Sequence, residues 1–252
     1  MVQYPRVIFN AESKRGIKMK NKVCIITGAG GGIGSAIAEA LFGLGFKLVL
    51  MGRNEEKLKK TANGRDCLIL PGDICDDEYV RSAVAKTVEV YGGIDVVINN
   101  AGVAQSQAFC DITMEEYDMI MNTNVRAPFL LCQSALPYLE KTGCGTIINI
   151  ASVTAHKGYA LQSVYSASKH ALLGFTKALS KEYYKKGVRA HVISPGGVFT
   201  DMVKVSRPDL SSEGMILAED IAETVLYLLK MRNSACVADE IELHRETKEP
   251  FM

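Results

Sequence analysis

The sequence of 252 residues has no tryptophan, only four histidines, and no excess of either charge. Lys plus Arg number 29 against 28 for Asp plus Glu, a formal charge of +1. That balance removes the electrostatic reason to expect a nucleic acid or an anionic membrane as partner. Long apolar runs are missing too. The most apolar neighbourhood, 36–51, is broken by Glu39, Gly43, Gly45 and Lys47, well short of the roughly 18 uninterrupted residues of a bilayer span. Seven cysteines, at 24, 67, 75, 110, 132, 144 and 236, show no metal-ligand spacing, and an odd number cannot all pair within one chain. They read as free thiols in a reducing cytoplasm, with Cys24 a small hydrophobe inside a strand pattern. The four histidines form no metal-like constellation, so no metal is expected.

What is present is a globular composition, 48% apolar and 23% charged, enough for a sizeable core. Residues 1–18 carry Arg6, Lys14, Arg15 and Lys18 without an apolar stretch or a clear period. They read as a poorly ordered extension, with Met19 an alternative start and a basic targeting peptide the sharper option. From residue 19 to 252 short apolar runs alternate with helical patterns, and no repeat or linker divides them, so one domain is expected. Strands are expected at 23–27, 48–51, 67–70, 96–99, 146–151, 190–194 and 240–244. Helices are expected at 33–44, 55–61, 77–91, 114–140 (broken near Pro128), 164–186 and 218–231. Nearly continuous apolar strands between helices imply a Rossmann-type, doubly wound parallel α/β sheet of about seven strands, covered on both faces. Ser163 is a candidate N-cap for the helix from 164. Its apolar positions Ala167, Ala171, Leu172, Phe175 and Leu179 recur at helical steps. Small residues at 167, 171, 174 and 178 fit either an oligomer seam or a helix buried within one subunit.

The first strand runs into Thr27-Gly28-Ala29-Gly30-Gly31-Gly32-Ile33-Gly34 and then a helix. Glycine lets such a turn take positive φ and lets its backbone approach a pyrophosphate, while the helix N-terminus offers unpaired N–H groups to phosphate. Gly28, Gly32, Ile33 and Gly34 are therefore candidate cofactor contacts. Five glycines leave the spacing degenerate between T-G-x-x-x-G-x-G and T-G-x-x-G-x-x-G. The second strand ends in Gly52-Arg53-Asn54, where NAD-linked enzymes place an acid for the ribose hydroxyls. A guanidinium there suits a 2′-phosphate. NADP(H) is favoured over NAD(H), although the Gly-rich turn adds no basic residue of its own.

With these features the chain resembles the short-chain dehydrogenase/reductase family in its compact single-domain branch, from Lys20 to about Leu229. Asn99-Asn100-Ala101-Gly102 after the fourth strand carries the resemblance further, as does Asp73-Ile74 after the third. The resemblance implies that Asn100, Ala101 and Gly102 brace the sheet and line the adenine-ribose side, and that Asp73 and Ile74 hold adenine. Ser152 stands thirteen residues before Tyr165, and Lys169 follows four later, on the same helix face. Of ten tyrosines only Tyr165 has a lysine at that offset. Asn124, in Thr123-Asn124-Val125, would anchor a proton-relay water. Pro195-Gly196-Gly197-Val198-Phe199-Thr200 fits the family's P-G-x-x-x-T, with Pro195, Gly196, Val198 and Thr200 beside the nicotinamide.

The expected chemistry follows. A free phenol titrates near about 10. Lys169 and the oxidised nicotinamide would lower that value, so Tyr165 would exchange a proton with a carbonyl or hydroxyl oxygen that Ser152 orients. Lys169 would also hold the nicotinamide ribose. A small carbonyl or alcohol substrate would meet Val153, Tyr159, Gln162 and Val198 under a cover from Met202 to about Met215. His156 is expected to be a solvent-facing loop residue. The segment 237–244, with no glycine after Gly214, departs from relatives that end in a tetramer-building Asp-Gly-Gly. A homodimer or homotetramer is expected. The functional expectation is a carbonyl reductase or alcohol dehydrogenase. A 3-oxoacyl thioester reductase is the near alternative, and a nucleotide-binding regulator or a sugar-nucleotide epimerase the distant ones.

Overall fold

The computed structural model describes residues 19–200 and 213–247. The expected extension, and the part of the expected cover from 202 to 212, lie outside the described residues. Seven strands form the sheet: β1 (Val23–Thr27), β2 (Lys47–Gly52), β3 (Leu68–Pro71), β4 (Val96–Asn99), β5 (Gly145–Ile150), β6 (Val188–Pro195) and β7 (Glu240–Leu243). All neighbours are parallel, in the order β3-β2-β1-β4-β5-β6-β7. The chain therefore reverses its direction of travel between β1 and β4, and the carboxyl ends of those two strands open the crevice where such sheets bind ligands.

The near-continuous apolar strands feed two cores, because successive side chains leave a strand on opposite faces. On one face Cys24, Ile26, Leu48, Leu50 and Ile148 meet α1 (Gly32–Gly43) and α7 (Ala218–Lys230) through Ile37, Leu41, Val225 and Leu229. On the other, Val23, Ile25, Val49, Met51 and Ile147 meet α3 (Asp77–Tyr91) and α5 (Ala127–Lys141) through Val80, Val84, Leu131 and Leu139. Ile25, Ile26, Leu48 and Leu50 are completely enclosed, each worth roughly 1.5–3 kcal/mol of transfer free energy. The shorter α2 (Glu55–Ala62) packs against β2 and β3, α4 (Met114–Met121) packs against α6 (Ser163–Tyr183), and α6 packs against β6. Among the described residues no helix is long and apolar enough to cross a membrane.

Three local expectations change. The helical stretch from 114 breaks before Pro128, in a single π-turn over Asn122–Arg126. Pro128 is the second residue of α5, in the first turn where proline is tolerated. Ser163 is the first residue of α6 and caps nothing; the N-cap is Gln162, which makes no side-chain bond either. The Val164 N–H instead donates to Gln105 Oε1 at 3.2 Å, so a distant loop supplies the cap. Finally, the inward stripe of α6 is Val164, Ser168, Leu172, Leu173 and Thr176. Ala167, Gly174 and Ala178 are exposed, so burial within the subunit does not account for the small residues.

A buried polar chain ties α6 to the centre of the sheet. Asn99 Nδ2 donates to Asn149 Oδ1 at 2.8 Å, Asn149 Nδ2 to Thr176 Oγ1 at 2.7 Å, and Thr176 Oγ1 to Leu172 O at 2.6 Å. All three side chains are at most 3% exposed, and buried polar groups left unpaired are costly. Asn149→Leu, which keeps the volume and removes both bonds, is expected to lower stability by about 2–4 kcal/mol in urea unfolding. A loss below about 1 kcal/mol would show that apolar packing alone holds α6 in place.

Candidate active site

The site begins at the β1–β4 crevice. Thr27 ends β1, and its Oγ1 accepts from the Asn100 and Ala101 N–H groups, both at 3.1 Å. In return Asn100 Nδ2 donates to Thr27 O at 3.0 Å and to Gly28 O at 3.3 Å. These bonds draw the two strand ends so close that a Cβ on Gly28, whose φ is +66°, would lie 2.9 Å from Ala101 Cα. A Cβ on Gly34 would collide with the Gly28 carbonyl. Gly34 thus serves the packing of turn against helix and does not line the cleft. Above Gly31 there is no protein atom within 4 Å of where a Cβ would stand. That open space belongs to a cleft of about 640 Å³ whose walls include Gly32, Arg53, Asp73, Gly102 and Thr200.

The residues present fit a dinucleotide. α2 and α3 begin on capping side chains, Asn54 and Asp76, with acidic residues in their first turns. The N-cap of α1 is Gly31, which offers no side chain, and no acid stands in its first turn, which leaves N–H groups facing the cleft where a phosphate would fit. Farther along the cleft Asp73 Oδ1 accepts from Cys75 N at 2.9 Å, which shapes the wall formed with Ile74 and Thr123. Beyond β6, Gly196 N donates to Leu243 O at 2.8 Å, and buried Val198 bridges to Ile216. This brings Thr200 to within 3.3 Å of a Cβ built on Gly32. Pro195, Gly196 and Val198 support that approach from outside the cleft wall.

The titratable groups lie past Gly102. A Cβ on Gly102 would be 3.2 Å from Asn124 Oδ1 and 3.6 Å from Lys169 Nζ. The π-turn aims Asn124 inward, where it accepts from Val103 N and donates to Val103 O, each at 2.9 Å. It also donates to Ser168 Oγ at 3.0 Å, so both amide hydrogens are committed to holding the Val103 loop against α6. Lys169, 5% exposed, donates to Ile150 O at 2.9 Å and sits 5.7 Å from the centre of the Tyr165 ring. Ser152 caps the short turn after β5, accepting from Thr154 N at 3.2 Å, and is close enough to act on the Tyr165 phenol.

Burial governs both titrations. It raises the Tyr165 phenol above its ordinary range, and the Ser152 hydroxyl pulls it only partly back. Burial also lowers the Lys169 ammonium to about 8. In the protein without cofactor, desolvation therefore outweighs the expected effect of lysine on tyrosine.

Comparison with known proteins bears on this arrangement directly. The family model for short chain dehydrogenases matches residues 22–211. The chain belongs to the short-chain dehydrogenase family. An uncharacterised oxidoreductase of Staphylococcus aureus strain USA300 is 37% identical over 214 residues, 84% of this chain and 92% of its own length. A Staphylococcus haemolyticus oxidoreductase is 35% identical over 215 residues, again 84% and 92%. A levodione reductase structure superposes with a TM-score of 0.80 at 31% identity, covering 88% of this chain and 96% of that one. A short-chain dehydrogenase from Streptomyces avermitilis also gives a TM-score of 0.80, at 26% identity and 89% and 88% coverage. This short-chain dehydrogenase is an oxidoreductase of a family that works with NAD(H) or NADP(H).

Several residues escaped the sequence reading. Gln105 lacks any motif, and only its burial among exposed or half-buried loop neighbours marks it. Thr61, whose hydroxyl donates to Ala29 O at 2.9 Å, looked like one more polar helix residue. His156 is exposed on a turn as expected, and what escaped is its partner, with Nε2 2.6 Å from Glu240 Oε1 on β7.

The lowered Lys169 has a consequence for stability. Between about 8 and the ordinary 10.5 the unfolded chain holds a proton that the folded chain has released. Stability therefore rises with pH across that window, and the burial cost is full below it. In urea unfolding without cofactor, the stability of Lys169→Met relative to wild type should fall by about 2 kcal/mol between pH 7 and pH 10. A difference independent of pH would mean that the ammonium is not desolvated.

Proposed function

We propose that this short-chain dehydrogenase reduces a ketone, or oxidises the corresponding secondary alcohol, with a preference for NADPH. The reading rests on one observation. Ser152, Tyr165 and Lys169 converge behind the Gly102 wall of the cleft, with Lys169 Nζ 3.6 Å from the Gly102 Cβ position and Asn124 braced beside it. A dinucleotide cofactor when bound supplies or accepts the hydride.

The chain's own groups handle the oxygen and its proton. A phenol held above its ordinary range stays protonated at neutral pH, so Tyr165 is charged with the proton that a carbonyl oxygen needs as it is reduced. The Ser152 hydroxyl orients the same oxygen and contributes a hydrogen bond that strengthens as negative charge develops. Lys169, below its own titration at pH 7, presents a cation beneath the phenol and favours the phenolate left after transfer. The buried bonds of Asn124 to Val103 and Ser168 keep that geometry from relaxing. The levodione reductase among the structural neighbours supports the carbonyl-reducing direction. NADPH is preferred because Arg53, exposed at the cleft wall, suits a phosphate and no acid stands at the end of β2.

Tyr165→Phe should lower kcat for ketone reduction by about 10²–10⁴-fold while cofactor affinity stays within a few-fold in fluorescence titration. Turnover at the wild-type rate would sink the acid–base assignment. Arg53→Ala should weaken NADPH binding by about tenfold and leave NADH binding almost unchanged. Equal losses for the two cofactors would sink the NADPH preference.

A further inference from the structure

The Gly-rich turn carries no basic residue, so Arg53 would face a phosphate monoester alone unless another element supplies a second cation. At neutral pH such a group bears close to two negative charges. α2 brings a candidate to the same wall. We infer that Lys57 is the second cation of the adenosine 2′-phosphate subsite, paired across it with Arg53. The inference rests on the NADPH preference proposed above and assigns part of that preference to a residue outside the sequence motif.

The placement of Lys57 is built in three ways. Asn54, the N-cap of α2, accepts from Lys57 N at 2.9 Å through its Oδ1, which fixes the lysine backbone in the first turn. One turn later Thr61 Oγ1 donates to Ala29 O at 2.9 Å, so the helix is tied to the Gly-rich turn itself. The Lys57 Cβ then stands 3.1 Å from where a Cβ on Gly30 would be. The lysine stem runs alongside the turn because Gly30 has no side chain to push it away. Arg53, Asn54 and Lys57 all wall the cleft together with Gly31 and Gly32.

The charge pattern on α2 agrees. Glu55 and Glu56 are the nearest carboxylates in sequence, and Lys59 Nζ lies 3.0 Å from each. Among the described residues neither Arg53 nor Lys57 makes an ion pair. A lysine in the first turn of a helix also works against the helix dipole, so helix stability does not account for it. Arg53 can hold two phosphate oxygens in a planar fork, and Lys57 adds a compact point charge from the Gly30 side. A cofactor with only a 2′-hydroxyl places no charge at that position, and the pyrophosphate near the turn is common to both cofactors.

The test is fluorescence titration of purified full-length wild type, Lys57→Gln and Arg53→Ala with NADPH and NADH, repeated by calorimetry with 2′,5′-ADP and 5′-AMP, which lack the nicotinamide. Lys57→Gln keeps most of the stem and removes the charge. The expected result is an NADPH and 2′,5′-ADP Kd raised about tenfold, with NADH and 5′-AMP changed less than about twofold. Unchanged NADPH binding in Lys57→Gln, beside a clear loss in Arg53→Ala, overturns the role of Lys57 and leaves the NADPH preference standing. Equal weakening of both cofactors would assign Lys57 to the shape of the turn and also overturns the inference. Wild-type protein that binds NADH as tightly as NADPH would remove the preference itself, and the second cation with it.

Discussion

Everything in the cleft depends on the exchange of hydrogen bonds between the ends of β1 and β4. Thr27 and Asn100 satisfy four polar groups that the sheet leaves unpaired where its strands stop. The bonds pull two backbones to a separation that no side chain could share, which is why Gly28 must be glycine at φ +66°. The same closeness seats Gly34 against the Gly28 carbonyl and so fixes the first turn of α1. An N-terminus held there, uncapped, faces the cleft only because the strand ends beneath it cannot spread. The open surface at the start of α1 is therefore a consequence of sheet topology, since only at the reversal between β1 and β4 do two strand ends stand free of a covering crossover.

At the other end of the cleft the governing term is desolvation. Lys169 is among the most deeply buried charged groups described, and its lowered titration records the cost of holding it there. Part of that cost is offset by Ile150 O, an acceptor exposed by the end of β5. The remainder is stability given up, as is common where a buried group serves a site. Tyr165 experiences the same environment with the opposite sign, so burial favours the neutral form of both groups. A neutral phenol is the form needed to protonate a carbonyl. The path from phenol to phenolate in the reverse direction works against that burial.

Much of this was legible in the residues, and the parts that were not share a physical reason. Continuous apolar strands told of a sheet covered twice, and Cys24/Ile26 against Val23/Ile25 divide between two cores as that reading requires. Motif residues such as Gly28, Asn100, Tyr165 and Lys169 were readable because their spacing along one strand end or helix face is set by local geometry. The cap of α6 was misplaced at Ser163 because the group that replaces it, Gln105, comes from a loop 59 residues away. The π-turn was mistaken for a proline break because Pro128 is a local signal, whereas the turn is maintained by Asn124 bonding to Val103 and Ser168. Local rules reach four residues, and the bonds that were missed span between 21 and 84.

The two lysines at opposite ends of the cleft show why charge count is a poor guide to charge function. Lys57 is exposed on a helix surface, so water and salt screen it, and it can act only on a ligand brought into contact. Its influence should fade as ionic strength rises. Lys169 is enclosed, where screening is weak and every charge costs more, so pH and the occupancy of the cleft govern it more than salt does. A dinucleotide that reaches from one lysine to the other would meet both regimes within one molecule. Salt dependence would then report on its adenosine end and pH dependence on its reactive end.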